Sequence, residues 1–187
     1  SRFAIEPLDV RVLERLRANE ADMAFFPATE LPPDFHSLRI YRSKKGILVR
    51  DGHPVIEAYE KAGVMTWELL NRWPVCVTAG MKDGGAKSVE GRRVGVVLPY
   101  FLTVPYVVAR TDFTFEGPLI TLRRFMMDSQ FQFRILPMPE ESGPFEPRLV
   151  WHHCSHTDPF LQWVRGLVVD AARSEARLLG VIDTSEE

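Results

Sequence analysis

Between residues 93 and 118 the apolar positions predict two strands with a short helix between them. Residues 93–98 form a continuous Val-rich run of strand length, the pattern of a strand that is buried on both faces of a parallel sheet. Thr103 can cap a helix over residues 104–110, and residues 113–116 have the pattern of the next strand. The rest of the chain is expected to be arranged around this β-loop-α-β unit.

In open α/β sheets, ligands bind where the carboxyl ends of strands meet loops and helix N-termini. The residues placed at such a rim by the predicted unit are Tyr100, Phe101, Leu102, Thr103, Gly117 and Pro118. A second candidate rim, Phe26-Pro27-Ala28-Thr29, follows a strand predicted over residues 22–26. An alternative is that Phe101 and Leu102 only close the end of the sheet, because ligand pockets and protein cores are both lined by apolar groups.

Helices are also predicted near both ends of the chain. Asp9 is expected to cap a helix that buries Val12, Leu13 and Leu16, and Asn19 suits the left-handed position that ends it. Asp158 is expected to cap the last helix, whose predicted buried face is Phe160, Val164, Leu167, Val168 and Ala171. The opening stretch, residues 1–7, has the pattern of a strand, so we expect the chain to be a piece of a longer protein.

Composition and charge narrow the class of protein. The 187 residues are 45% apolar, which is ample for a buried core. The formal net charge is −2 and the two signs are interspersed, so the sequence lacks the basic footprint of a nucleic-acid-binding domain. No apolar run is long enough to predict a membrane span. Two cysteines are too few for a disulfide framework, so we expect a cytoplasmic protein.

Residues 152–156, His-His-Cys-Ser-His, are the densest group of chemically versatile side chains. Histidine and cysteine are preferred zinc ligands, so a zinc-dependent enzyme is one alternative. The cluster nevertheless follows a predicted strand, without the helical spacing of a zinc protease motif or a nearby carboxylate base. Cys76 lies in an apolar strand, where a thiol stays protonated and inert. We therefore expect neither an enzyme nor a bound metal or cofactor.

Four segments, in order, resemble the C-terminal effector-binding domain of LysR-type transcriptional regulators, nearest the branch with NodD-like and aromatic-degradation regulators. LRANEADMAF is similar to the family pattern L-x-x-G-E-x-D-x-A, and ILVRDGHPV is similar to a strand followed by R-x-x-H-P. VVLPYFLTVPYVVARTDFTFEGP resembles V-x-P-S-F-x-x-A-P-x-x-V-A-x-T-D-x-x-x-x-x-P, with Tyr100 in place of the serine. RLVWHHCSHTDPFLQWVR resembles the closing L-x-W-H-x-R-x-x-x-D-P-x-x-x-W-L-R.

The resemblance implies a type 2 periplasmic-binding-protein-like α/β fold, in which two lobes joined by two crossover strands enclose a ligand cleft. Lobe I would comprise residues 1–51 and 148–187, without its first strand and helix, and lobe II residues 52–147. A turn at Asp51–Pro54 and a proline-rich stretch at residues 138–147 agree with that division. The family's N-terminal winged helix-turn-helix would be absent from this chain.

The resemblance also implies a function. A small-molecule effector, expected to be an aromatic acid or a phenol, would bind in the cleft and change the arrangement of the lobes. Phe26, Tyr41, Tyr100 and Phe101 would enclose it, Thr29, Thr78 and Thr103 would orient it, and Pro118 would complete the rim. The full-length homodimer or homotetramer would control promoter DNA through its N-terminal domain, with RNA polymerase as a further candidate partner. A transport-type solute-binding protein is the alternative that shares the fold.

Overall fold

A computed structural model describes residues 3–27, 30–78, 91–128, 130–139 and 143–181. The chain divides into two compact units. The first comprises Ser1–Arg42 and Glu146–Leu178, and the second comprises Ser43–Phe145 and Leu179–Glu187. The chain therefore passes from one unit to the other three times.

The first unit is built on a three-stranded antiparallel sheet in the order β1-β8-β2. Its strands are β1 (Ala24–Phe26), β2 (Phe35–Arg39) and β8 (Arg148–His152), and its helices are α1 (Val12–Arg17) and α6 (Pro159–Leu178). Leu16 of α1 packs against Ala24, Phe35 and Val150 of the sheet. The guanidinium of Arg165 in α6 lies 4.6 Å from the centre of the Trp151 ring.

The second unit contains a five-stranded sheet in the order β5-β4-β6-β3-β7. The strands are β3 (Lys45–Arg50), β4 (Val75–Thr78), β5 (Val94–Leu98), β6 (Thr114–Pro118) and β7 (Phe133–Pro137). The helices are α2 (Pro54–Ala62), α3 (Trp67–Leu70), α4 (Val104–Val108) and α5 (Leu119–Asp128). Strand β4 is parallel to β5 and β6, whereas β3 is antiparallel to β6 and β7.

Two apolar clusters cover the two faces of this second sheet, because successive side chains of a strand point to opposite sides. Leu48, Cys76 and Phe115 pack on one face with residues of α4 and α5. Ile47 and Val49 pack on the other face with residues of α2 and α3.

The helix ends follow local sequence signals. The His53 ring accepts a hydrogen bond from the Val55 N–H at 3.0 Å, and Thr66 Oγ1 accepts one from the Leu69 N–H at 3.1 Å. Asp158 Oδ1 accepts a hydrogen bond from the Leu161 N–H at 2.9 Å, which confirms the predicted cap of the last helix. Asn19 has φ 56°, which confirms the predicted left-handed position.

The structure corrects the prediction that residues 93–98 are buried on both faces. Strand β5 lies at the edge of the sheet, and Val94 and Val97 are 38% and 41% exposed. The prediction that Thr103 caps the next helix is also wrong. The Thr103 hydroxyl instead donates to the Tyr100 carbonyl at 2.6 Å, within a 3-10 turn over Phe101–Thr103. Residues 3–7, predicted as a strand, form none.

The buried face of α6 differs from the predicted one. Phe160 and Leu167 are 46% and 48% exposed, whereas Arg165 is 7% exposed. Helix α6 is rotated because the Arg165 guanidinium stacks on Trp151 and donates to the carbonyls of Ser155 and His156 at 3.2 and 2.9 Å.

The boundary between the units falls nearer the N-terminus than the sequence-based expectation of residue 51. Strand β3 pairs with β6 and β7, so residues 45–50 belong to the second unit. His53 and Pro54, expected near a crossover, begin α2 in the same unit. The second boundary, between Phe145 and Glu146, lies two residues from the expected one.

Candidate functional site

The carboxyl ends of β4, β5 and β6 form a rim in the second unit. Because these three strands run parallel, their last residues share one edge of the sheet. Thr78 at the end of β4 is in register with Leu98 at the end of β5. Pro118 ends β6 beside Lys45, the first residue of the antiparallel strand β3. We call this edge the second-unit rim, and it contains five of the eight predicted effector-binding residues: Thr78, Tyr100, Phe101, Thr103 and Pro118.

Thr78 is the most unusual residue of the rim. Its side chain is 2% exposed, and its Oγ1 has no hydrogen-bond partner among the described residues. Alternation along β4 places it on the same face as Cys76, which packs with Phe115. A buried hydroxyl without a partner costs about 1–3 kcal/mol, so such groups are rare outside sites that have a use for them.

The loop after β5 carries the aromatic part of the rim. The ring of Phe101 contacts the buried ring of Phe115 edge to face, with the centroids 6.0 Å apart. Phe101 itself is 43% exposed and Tyr100 is 62% exposed. The 3-10 turn that holds both rings is closed by the hydrogen bond from the Thr103 hydroxyl to the Tyr100 carbonyl. This loop therefore exposes two aromatic rings, and one of them, Phe101, packs against the buried ring of Phe115.

Gly117 lets α5 approach the end of β6. A Cβ at this position would lie 3.1 Å from Phe115 Cε1 and 3.3 Å from Leu122 Cδ2, which is tighter than ordinary packing. The Leu119 N–H donates to the Lys44 carbonyl at 3.0 Å, so α5 begins against β3. The close packing at Gly117 and the hydrogen bond of Leu119 thus hold the backbone in place on both sides of Pro118.

The other predicted effector-binding residues belong to the first unit. Phe26 ends β1 and packs against the cluster of Leu16 and Val150, so part of its ring is buried in the core of the first unit. Tyr41 is 7% exposed, and this burial raises the pKa of its phenol to about 12. Thr29 lies outside the described residues.

The histidine segment after β8 forms a connected polar cluster. His36 of β2 joins it: His36 Nε2 lies 2.9 Å from His153 Nδ1, and its ring stacks on that of His156 with centroids 3.9 Å apart. Burial and the neighbouring histidines lower the pKa of His36. The Trp151 indole N–H donates to His156 Nδ1 at 3.2 Å. Sequence analysis missed His36 because the contact joins residues 117 positions apart.

These side chains hydrogen-bond to one another instead of converging on a point where a metal could sit. Within residues 3–27, 30–78, 91–128, 130–139 and 143–181, no group of three or more His, Cys, Asp or Glu residues is suited to hold a metal ion. No observation therefore favours the alternative of a zinc-dependent enzyme.

A buried ion pair was also missed from the sequence. Arg92 contacts Glu116 of β6, and both side chains are less than 5% exposed. The Arg92 guanidinium also donates to Thr114 Oγ1 at 3.1 Å. Burial lowers the pKa of Arg92 to about 10, which leaves it protonated at neutral pH. The pair lies on the face of the sheet opposite Thr78, because Glu116 is in register with Ile47.

Comparison with solved structures defines the class of fold. The chain superposes with a TM-score of 0.66 on a probable transcriptional regulator, PA0477, from Pseudomonas aeruginosa, at 23% identity, covering 82% of this chain and 51% of that one. The effector binding domain of QuiR in complex with shikimate gives a TM-score of 0.64 at 12% identity, covering 87% and 77% of the two chains. The architecture is that of type 2 periplasmic-binding-protein-like regulatory domains.

The sequence then identifies the family. The family model of the LysR substrate binding domain matches residues 2–173, so the chain belongs to that family. It is 27% identical over 168 residues to the HTH-type transcriptional regulator SyrM 1 of Sinorhizobium fredii, covering 86% of this chain and 48% of that protein. The chain spans about half the length of the curated relatives it matches.

Proposed function

We propose that the second-unit rim binds a small-molecule effector, and that this binding controls transcription by a longer LysR-type regulator. The observation that carries the proposal is Thr78, a buried hydroxyl without a partner among the described residues, at the carboxyl end of β4, which lies between the two strands parallel to it, β5 and β6. A buried hydroxyl that has no partner among the described residues can form its hydrogen bond when a ligand binds. Family membership supports the same assignment.

The rim favours a small aromatic molecule that carries a polar group. Exposed Tyr100 and Phe101 rings offer surfaces for stacking, which is worth about 0.5–1.5 kcal/mol per aromatic pair beyond the buried area. The Thr78 hydroxyl offers a polar contact on the same face of the sheet as Phe115, against which Phe101 packs. An aromatic acid or a phenol meets both requirements. Phe26, Thr29 and Tyr41 of the first unit remain predicted contacts.

The effector would act by selecting a conformation. A ligand shifts an equilibrium only by the difference between its affinities for the two states, so the rim must bind the effector better in one state than in the other. In the full-length protein, which we propose to be a cytoplasmic homodimer or homotetramer, that shift would change how the N-terminal domains bind promoter DNA. The relative SyrM 1 is named an HTH-type transcriptional regulator, which supports a role in transcription.

A thermal-shift screen tests the proposal. This chain would be melted with hydroxybenzoates, phenols and flavonoids, each tested over a range of concentrations. A ligand at about one hundred times its dissociation constant adds about 2.7 kcal/mol to the free energy of unfolding, which raises the melting temperature visibly. We expect at least one hit among these aromatic compounds.

The double variant Phe101→Ala/Thr103→Ala then links a hit to the rim. The Phe101 ring is exposed, and the Thr103 hydroxyl closes the turn that carries it. The variant should therefore keep the fold of the second unit and bind the hit at least about tenfold more weakly, because it loses one aromatic contact and the bond that holds the loop in place. The matched control is Tyr106→Ala, an exposed aromatic residue on the adjoining helix α4, which should bind as the unaltered chain does. Equal affinity of the double variant and the unaltered chain would refute the assignment of this loop.

A further inference from the structure

A second group of reactive side chains lies at the end of β8, separate from the second-unit rim. Cys154 is exposed; its thiol donates to Asn19 Oδ1 at 3.0 Å, and its Sγ lies 3.1 Å from His152 Nδ1, toward which the same S–H can turn. On the other side of the imidazole, His152 Nε2 lies 3.3 Å from Asp34 Oδ2. The His152 imidazole thus lies between the Cys154 thiol and the Asp34 carboxylate.

Three separate segments build this arrangement. Asn19 reaches Cys154 from the end of α1, where its left-handed conformation turns the chain. Asp34 immediately precedes β2, and the pairing of Phe35 with His152 brings it beside β8. The Asp34 carbonyl also accepts a hydrogen bond from the His153 N–H at 2.9 Å, which anchors the turn that carries Cys154.

The hydrogen bonds define which nitrogen of His152 carries the proton. The backbone N–H of Cys154 donates to His152 Nδ1 at 3.4 Å, so Nδ1 is unprotonated and its lone pair is shared between this N–H and the thiol sulfur 3.1 Å away. In the neutral ring the proton is then on Nε2, which faces Asp34. Arg17 donates to both Asp34 oxygens, at 2.6 and 3.1 Å, and this contact lowers the pKa of Asp34 to about 2. Asp34 is therefore an anion that can stabilise a protonated His152.

We propose that Cys154 is a modification site, a nucleophilic thiol that forms a mixed disulfide with small-molecule disulfides, with His152 as its base and Asp34 as a positioning residue. A nucleophile within hydrogen-bond reach of a base, which a third group orients, is the arrangement that activates cysteine. This proposal is independent of effector binding at the second-unit rim.

The reaction is a thiol-disulfide exchange. His152 Nδ1 takes the proton of the Cys154 thiol, and the resulting thiolate attacks one sulfur of the small-molecule disulfide. A new S–S bond forms at Sγ while the original S–S bond breaks. The departing thiolate takes the proton from His152. Cys154 is oxidised, the small disulfide is reduced to one thiol and one protein-bound half, and no other reactant is needed.

Cys76 provides an internal contrast for this chemistry. It is fully buried in β4, and burial raises the pKa of its thiol to about 11. A thiol of this kind reacts only when the protein unfolds. Any modification of the native chain should therefore occur at Cys154 alone.

Oxidised glutathione is the probe for the experiment, and peptide mapping by mass spectrometry follows each cysteine separately. At pH 7 the native chain should form one mixed disulfide, at Cys154, at least about tenfold faster than the same cysteine reacts in the urea-unfolded chain, because in the native chain His152 lies within reach to take the thiol proton as the thiol reacts. This comparison uses only the unaltered protein. A native Cys154 that reacts no faster than the unfolded one would overturn the proposal.

Variants of three residues test whether His152 is the base that takes the Cys154 proton. His152→Asn should reduce the native rate to that of the unfolded chain. The matched control is His153→Asn, because the His153 ring faces His36 and not the thiol, and this variant should keep the unaltered rate. Asp34→Asn should lower the native rate at pH 7, and Asp34→Glu, which keeps the carboxylate, should restore it. Unaltered reactivity in His152→Asn, or equal losses in both histidine variants, would contradict the role of His152.

Discussion

In the second unit, two buried charged side chains are stabilised by pairing with each other. Arg92 and Glu116 are both nearly inaccessible, and each neutralises the other inside the sheet. Thr114 uses its hydroxyl to accept from Arg92, and it also donates to the Pro74 carbonyl at 3.5 Å. The cost of taking these charges out of water is offset by contacts that exist only in the folded chain.

Glu116→Gln should therefore be strongly destabilising. It leaves the Arg92 guanidinium buried without a counter-charge, and breaking such a pair costs about 3–5 kcal/mol. Urea unfolding followed by circular dichroism measures the loss. The matched control is Glu57→Gln, which breaks an exposed pair with Lys61 whose two side chains are 73% and 75% exposed, and it should leave the urea midpoint unchanged. Similar midpoints for the two variants would contradict the role given to the buried pair.

At the scale of elements, local signals were the predictable part of this fold. Asn19 and Asp158 could be assigned from the sequence because a left-handed turn and a helix cap depend only on a few neighbouring residues. The edge position of β5 could not, because the strand order is decided by pairing between distant segments. The rotated face of α6 also depends on a distant contact, that of Arg165 with Trp151.

The cap of α6 gives a prediction at this scale. Asp158→Ala removes the acceptor for the Leu161 N–H, and it should lower the free energy of unfolding by about 1 kcal/mol. The matched control is Asp170→Ala, an exposed aspartate in the middle of the same helix, where alanine adds helix propensity and no cap is lost. Chemical unfolding of both variants makes the comparison. An Asp158→Ala chain as stable as the control would show that α6 does not depend on this cap.

The part of the candidate site that directly follows a strand could be predicted from the sequence. Tyr100, Phe101 and Thr103 were assigned because they follow a predicted strand, and the structure does place them at the carboxyl edge of a parallel set. That Thr78 has no partner among the described residues could not be predicted, since it depends on which groups the folded sheet brings near. The Cys154–His152–Asp34 arrangement escaped prediction for the same reason, because Asp34 lies more than one hundred positions before His152 in the sequence.

At the scale of the whole molecule, the chain forms two units and passes between them at three points. Two passages were expected, and the third follows α6, where the chain returns to the second unit at Leu179. Arg123 of α5 donates to the Leu179 carbonyl and, at 2.7 Å, to the Gly180 carbonyl, which fixes the last described residues on that unit. No helix of the described ranges has the length and apolar character needed to cross a membrane. The two-unit organisation agrees with the chain's membership of the LysR substrate binding domain family.

Effector affinity in two threonine variants is the most direct test of the central claim. An aromatic hit from the thermal-shift screen would be titrated calorimetrically into the unaltered chain, Thr78→Val and Thr114→Val. Thr78→Val removes a hydroxyl without a described partner, so we predict an unchanged or higher melting temperature and about tenfold weaker binding. Thr114→Val removes a hydroxyl bonded to Arg92, so it should melt at a lower temperature and bind with unchanged affinity. Unchanged affinity in Thr78→Val would contradict effector binding at the second-unit rim.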